Sequence, residues 1–544
     1  MNAKNILALA FAGLFAVTAI ADPTGVFVNG VELDDTVVDS GPGWVYNQVS
    51  CLLELNGAGP VTLSGENWYG AVQVLVPAGV TNTVTLSDLT LASSYDCAFA
   101  LEANACVSLL LEGENILYSD SNRAGLEVPP GASLSITNAP GGNAGSLTAT
   151  GGDNGAGIGG GNNGGGGTVK VHGGTVDANG GDSGAGIGGG NKGAGGTVTV
   201  SGGTVAAKGG YYYGAGIGGG NDGAGGTVTV SGGTVVAEGG YYGAGIGGGY
   251  YGAGGAVTVS GGRITATGGT SGGAGIGGGY YGAGGTIAIS NGTVAARGQD
   301  SGADIGPGNY GTGSGSNTFT GGSIGLTAFS VALAPSNGTT RVGCAIVSGF
   351  EPNESVTITG LPSTYGVNGI FADANGTIYL WLPDGDYSFT ANNRPCSAKI
   401  KNGVGACGVT VNGDDVAFGS DDPVAAGWSY DATTRILELT GAGPFTLSGN
   451  NEFGHVCVVA SDAVVNAVTL SNLTLRATDN DQCAFALGKN ANVSLVLAGA
   501  NTLDSGANRA GLEVPAGTSL AITNAPDDST GSLTATGGSN GAGI

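Results

Sequence analysis

Charge is scarce in this chain. Only 10% of its 544 residues are charged, and 15 basic residues stand against 40 acidic ones, a formal charge of −25. So few cations and so much negative charge repel phosphate backbones and anionic lipid surfaces, which excludes nucleic acid as a partner. Histidine occurs twice, at His172 and His455, and no CxxC pair exists, so neither a zinc site nor any other cofactor is called for. Eight cysteines are too sparse for a disulfide scaffold, though they suit an oxidising compartment. Most are expected to be small buried apolar residues, with Cys396 and Cys407 the pair that could close a short loop. No stretch shows a helical period, and beyond the N-terminus no apolar run is long enough to span a bilayer. Glycine, in contrast, supplies 115 residues, about three times ordinary usage. These glycines follow no three-residue period, which excludes collagen, and a hydrophobic share of 41% argues against disorder.

The N-terminus reads as a secretory signal peptide over residues 1–21. Lys4 precedes the apolar run from Ile6 to Ile20, and the small residues Ala19 and Ala21 fit cleavage after Ala21, before Asp22-Pro23. A secreted or cell-surface location follows.

A short repeat dominates the middle of the chain. "GAGIGGG" begins at Gly155, Gly184, Gly214, Gly243 and Gly273, and a degenerate copy, "GADIGPG", begins at Gly302. Its isoleucines at 158, 187, 217, 246, 276 and 305 set a period of 29–30 residues, the signature of a repeat architecture. Between copies lie segments such as "TVTVSGGTVAAK", in which valine alternates with small or polar residues as a half-buried strand requires. Each unit therefore offers three short strands, "TVTV", "TVAA" and "GAGIG", and reads as one coil of a β-solenoid. Stacking coils about 4.8 Å apart aligns Val198, Val228, Val257 and Ile287 in one internal column. Val200, Val230, Val259 and Ile289 form the next, and Val205, Val235, Ile264 and Val294 the third. One coil alone buries too few aliphatics to offset its ordering entropy, so only a capped stack is stable.

A longer repeat encloses this array. "NRAGLEVPPGASLSITNAP" from Asn122 returns as "NRAGLEVPAGTSLAITNAP" from Asn508, and "VTLSDLTL" from Val84 as "VTLSNLTL" from Val468. The final "NGAGI" repeats the opening of the first array, which implies a second array truncated at its start. The domain reading is residues 22–150 as an N-terminal β-helix module, 151–325 as the glycine-rich array, 326–402 as a β-sandwich spacer, and 403–544 as a second copy of the first module. Within the spacer, "TIYLWL" and "DYSFT" read as a hairpin turning at Pro383-Asp384-Gly385.

The phrases "GWSYDATTRILELTGAGPFTLSG", "LEVPAGTSLAITNAP", "GSLTATGG" and "GAGIGGG" resemble large secreted bacterial proteins of the right-handed parallel β-helix type, adhesin-like and carbohydrate-binding-like members among them. The motif "FADANGTIYLWLPDGDYSFTANN" resembles carboxypeptidase-regulatory-like and transthyretin-like modules. The resemblance implies an all-β fold, a parallel β-helix with a small β-sandwich, and a role in adhesion or glycan binding. Parallel β-helices also host polysaccharide-degrading, pectate-lyase-like enzymes and inert stalks, and these are the alternative functions.

Lyase chemistry needs a carboxylate cluster and a cationic base on one groove. The array's Asp153, Asp177, Asp182 and Asp222, with Lys170, Lys192, Lys208, Arg263 and Arg297, fall on different turns and repeat no constellation. Asp373, Asp384 and Asp386 of the spacer read as turn residues. The threonines at 197, 199, 227, 229 and 258 suit an exposed strand face. In "GAGIGGG" a period of two leaves glycine alone on one side, either a bare face for self-association or a cramped coil. Tyrosines are the other distinctive feature. Tyr211, Tyr212 and Tyr213 align with Tyr241 and Tyr242 on one turn, and Tyr250 and Tyr251 with Tyr280 and Tyr281 on another. Such ladders either pack on one another or present stacking platforms to a polysaccharide or host-cell glycan.

Overall fold

A computed structural model describes residues 23–34, 39–68, 70, 72–93, 96–120, 122–141, 144–313, 315–326, 336–337, 340, 342–362, 369–400, 409–416, 427–431, 434–451, 456–477, 482–526 and 530–544. The expected signal peptide and Cys407 lie outside these residues. Every regular element described is a β-strand. The alternating valines do what their period dictates. The three expected columns stand in register across parallel strands, and all twelve residues are 1% exposed or less. They belong to a 17-stranded sheet, while the Ile-Gly steps of "GAGIGGG" and its degenerate copy form half of a second, 12-stranded sheet. In later coils the two valine strands merge into single strands, Thr227–Glu238, Ala256–Thr267 and Thr286–Arg297.

The stack runs through residue 150 without a break. Thr150 pairs with Asn179 and Leu126 with Ile158, and one hydrophobic core extends from Val26 to Leu326. Its N-terminal end is closed by the hairpin of Pro23–Val28 and Val31–Asp34, which lies antiparallel on Pro60–Asn67. Asn29 and Gly30 turn that hairpin with φ of 51° and 80°, as a two-residue turn of this hand requires.

The other end is closed by the spacer, whose wiring corrects the expected hairpin. Thr377–Pro383 pairs with Val342–Ser348, whereas Gly385–Ala391 pairs with Arg394–Ile400, so the chain changes sheets at Asp384. The reason is that "TIYLWL" is buried on both faces. Ile378, Leu380 and Leu382 enter the sandwich core, while Trp381 joins the solenoid core and donates its indole N–H to the carbonyl of Ile324 at 2.9 Å. A strand buried twice carries a continuous apolar run and serves as the solenoid's lid. Asp373 fits its turn reading: Oδ1 accepts the amides of Asn375 and Thr377, and Oδ2 accepts the Tyr379 hydroxyl.

Residues from Val409 onward repeat the first module. Val468 pairs with Leu495 as Val84 pairs with Leu109, around a separate hydrophobic core.

Of the two readings of "GAGIGGG", the structure takes the cramped coil: its glycines are buried and leave no bare face for self-association. Each Ile-Gly step is roofed by its own coil and the next: a Cβ at Gly188 would stand 2.0 Å from the Gly218 carbonyl, and one at Gly189 2.0 Å from the Gly193 carbonyl. The cysteines are less buried than expected. Cys97, Cys457 and Cys483 are inside, but Cys51, Cys344 and Cys396 are half-buried and Cys106 is exposed. Cys106 sits at an outward position of its strand, where alternation puts it in solvent.

Candidate functional site

The tyrosines gather on one edge of the array because of how "GAGIGGG" turns. Within a coil, the Ala215 amide donates to the Gly219 carbonyl at 3.0 Å, and Ala244 to Gly248 likewise. This reversal brings the turn before the motif beside the turn after it, so the two expected ladders are a single surface. The Tyr250 amide donates to the Tyr213 carbonyl and that of Tyr280 to Tyr242, both at 3.0 Å, joining the two turns directly. Tyr241 and Tyr242 lie in register above Tyr211 and Tyr212 through bonds of 3.0 and 2.9 Å.

The surface has two rows. Tyr213, Tyr242, Tyr250 and Tyr280 are half-buried and pack together, with Tyr242 to Tyr250 at 4.6 Å between ring centroids and Tyr242 to Tyr280 at 5.3 Å. Tyr211, Tyr212, Tyr241, Tyr251 and Tyr281 are exposed, and Tyr310 joins them. Tyr251 and Tyr281 stack at 5.0 Å with planes 7° apart, and Tyr310 continues the row 5.7 Å from Tyr281. Burial raises the pKa of the Tyr250 hydroxyl, reinforced by its hydrogen bond to Tyr251, and the Tyr280 hydroxyl is raised in the same direction. Tyr250 and Tyr280 therefore stay protonated across the ordinary pH range. The arrangement can present flat apolar rings edged with hydroxyls at intervals of one coil, which is the geometry of a stacking platform.

Tyr310 escaped sequence reasoning because its repeat is degenerate, yet register would have placed it: "GPGNY" aligns with "GGGYY" at 277–281. Below the tyrosines the same turn position holds asparagine. Asn221 donates its side-chain amide to Asn191 at 3.3 Å, and Asn191 to Asn162 at 3.2 Å.

Three of the charged residues weighed for catalysis lie on different elements. Lys208 ends the strand Thr204–Lys208, and Asp222 lies in the turn beneath Tyr251. Arg263, in the strand Ala256–Thr267, donates to the Asn353 side chain of the spacer. Among the described residues, no group of three or more His, Cys, Asp or Glu side chains is placed to hold a metal ion.

A second cluster was hidden in the "NRAGLEV" repeat. Arg123 bridges Asp96 at 2.8 Å and Glu127 at 3.2 Å beside a groove of about 600 Å³ floored by Leu52, Leu75 and Ala100. The Cys97 thiol lies 2.9 Å from the Ala124 carbonyl and 3.0 Å from that of Phe99, and burial pushes its pKa up to about 12. Burial also raises the Glu127 carboxyl, outweighing Arg123. Cys483, Arg509 and Glu513 rebuild the arrangement in the second copy, with the thiol 2.9 Å from the Ala510 carbonyl and Arg509 bonded to Glu513 at 2.6 Å. A thiol held protonated and facing carbonyls is a packing element, and its duplication without Asp96, replaced by Gln482, points the same way.

A family model described as beta helix repeat matches residues 143–162, 169–191, 195–221, 225–250 and 257–280. These segments cover the coils from the end of the first module to Tyr280. Coil geometry and match together define a β-helix repeat protein. No curated protein and no solved structure matches the chain. Among the described residues, no helix is long and apolar enough to cross a membrane.

Proposed function

We propose that this β-helix repeat protein is secreted or displayed at the cell surface, acts in adhesion, and binds polysaccharide or host-cell glycan along its tyrosine edge without catalysing a reaction. The observation that carries this reading is the exposed row Tyr251, Tyr281 and Tyr310, held in register by an inner row that packs as a core would. A tyrosine ring offers an apolar face to the C–H face of a sugar and a hydroxyl to its edge. Each such contact contributes on the order of 1 kcal/mol, so one ring binds nothing useful while several in register hold an extended glycan at micromolar to millimolar strength. Affinity should therefore rise steeply with glycan length. The separate placement of Asp222, Lys208 and Arg263 supports a role without catalysis, and release of unsaturated products from pectin or alginate would overturn that part.

The test replaces Tyr251, Tyr281 and Tyr310 with serine in one variant and Tyr211, Tyr212 and Tyr241 in another, then measures retention on insoluble polysaccharides and on mucin. Loss of retention with an unchanged melting temperature is expected for at least one variant. Unchanged retention in both would refute glycan binding at this edge.

A further inference from the structure

We infer that the tyrosine edge is a site of oxidative cross-linking, at which Tyr251 and Tyr281 couple to join consecutive coils covalently when the protein meets hydrogen peroxide and a haem peroxidase. The inference does not depend on glycan binding, although it uses part of the same surface.

Geometry selects the pair. Coupling forms a bond between ring carbons ortho to the two hydroxyls, so the rings must bring those carbons together and be open to the oxidant. The neighbours in sequence, Tyr211 with Tyr212, Tyr241 with Tyr242 and Tyr280 with Tyr281, meet nearly perpendicular, at 88° to 89°, each aiming an edge at a face. Tyr250 and Tyr251 are also edge-on, at 62°. The stacked pairs Tyr213 with Tyr242 and Tyr250 with Tyr280 belong to the half-buried inner row. Tyr251 and Tyr281 alone combine parallel planes, 7° apart at 5.0 Å, with exposure of 55% and 43%. Small rotations about their side-chain torsions slide one ring over the other until ortho carbons meet. Exposure also lets water take each phenolic proton, which burial of the Tyr250 hydroxyl opposes in the inner row.

The reaction balances. Each phenol gives up one electron and one proton and becomes a phenoxyl radical. The two radicals join through a carbon–carbon bond, and the hydrogens displaced from those carbons move to the oxygens, restoring two phenols. The two electrons and two protons removed reduce one hydrogen peroxide to two waters. The product ties together rings of consecutive coils whose centroids are already 5.0 Å apart and so closes a loop that the unfolded chain would otherwise leave open.

The sequence makes the product easy to read. Tryptic cleavage after Lys208, Arg263, Arg297 and Arg341 puts Tyr251 in peptide 209–263, Tyr281 in 264–297 and Tyr310 in 298–341. The full native chain, its accessible thiols alkylated, is treated with peroxide and peroxidase without glycan, then denatured, alkylated at the remaining thiols and digested. The expected result is dityrosine fluorescence and one dominant linked pair, 209–263 with 264–297, lighter than its components by two hydrogens, with fragmentation assigning Tyr251 and Tyr281. Tyr281→Phe and Tyr251→Phe should each abolish that pair, because phenylalanine keeps a ring to stack but has no hydroxyl to oxidise. Linkage through other tyrosines, no linkage, or a yield unchanged in both phenylalanine variants would overturn the inference. Loss of glycan retention in the serine variants bears only on the binding proposal.

Discussion

Replacing Gly218 with alanine should destabilise the array far more than an ordinary glycine substitution. Gly218 has φ of 140°, a value L side chains rarely adopt, and a Cβ built on it stands 2.0 Å from the Gly247 carbonyl oxygen of the next coil. The conformational part costs about 1–3 kcal/mol and forced overpacking about 1–3 kcal/mol more, so roughly 2–6 kcal/mol is expected. The coils cannot simply spread, because Gly188, Gly247 and Gly277 repeat the same contact above and below. Two controls separate the causes. Gly79, with φ of 75° and no atom within 4 Å of its Cβ position, carries only the conformational cost, about 1 kcal/mol. Gly59 has neither a positive φ nor a close neighbour, so alanine there should be neutral or stabilising by under about 1 kcal/mol. Urea unfolding followed by far-ultraviolet circular dichroism measures all three. In a stack stabilised by nearest neighbours, Gly218→Ala should also broaden or split the transition by breaking continuity at mid-array. The reasoning is refuted if Gly218→Ala unfolds no more easily than Gly79→Ala.

Thiol labelling of the native protein should modify Cys106 first and leave Cys97 and Cys483 protected until unfolding, because burial keeps both as thiols; early labelling of Cys97 would refute this. Glu127 should make stability fall as pH rises. Its folded-state pKa is raised, so its contribution is fully present below the unfolded value of 4.5 and is lost as pH climbs through the folded value. Glu127→Gln should flatten that part of the stability curve, and an unchanged curve would count against the shift. Trp381→Ala should cost about 3–5 kcal/mol by opening the end of the solenoid core, and limited proteolysis should then cut near the spacer at protease levels harmless to the wild type.

Much of the fold was legible because period-two alternation has a single physical consequence. Val198, Val228, Val257 and Ile287 had to face one way, and repetition had to stack them. The glycine motif defeated the same logic. Alternation identified which side of "GAGIG" lacked side chains but could not reveal that backbone covers that side: a Cβ at Gly157 would stand 2.7 Å from the Gly186 carbonyl of the next coil and 2.9 Å from the Ala149 carbonyl of its own. The reversal from Ala215 to Gly219 merged two tyrosine turns for the same reason: the path of a glycine-rich loop is written in φ values, and glycine permits nearly all of them. The spacer hairpin failed because a strand buried on both faces looks like a hairpin arm with one unusually apolar side. The cluster of Cys97, Arg123 and Glu127 was visible only as part of a repeated phrase, since contacts between neighbouring coils join residues some thirty positions apart.

The array thus divides its positions into two kinds. Glycines such as Gly188 and Gly218 admit no side chain, because backbone from the next coil occupies the space a Cβ would take. The turn position that follows them is free. It holds Asn162, Asn191 and Asn221, then Tyr250 and Tyr280, then Asn309, and at each one the amide donates to the backbone of the adjoining turn, from Asn122 through Gly272. Hydrogen bonding there is indifferent to the side chain, so packing of the coil does not require tyrosine. Between Asn221 and Tyr250 the amide ladder gives way to half-buried aromatic rings that pack on one another and support the exposed row. Aromatics make up 6% of the chain, and their concentration at a position that tolerates asparagine is the strongest reason to assign the tyrosines a task outside the fold.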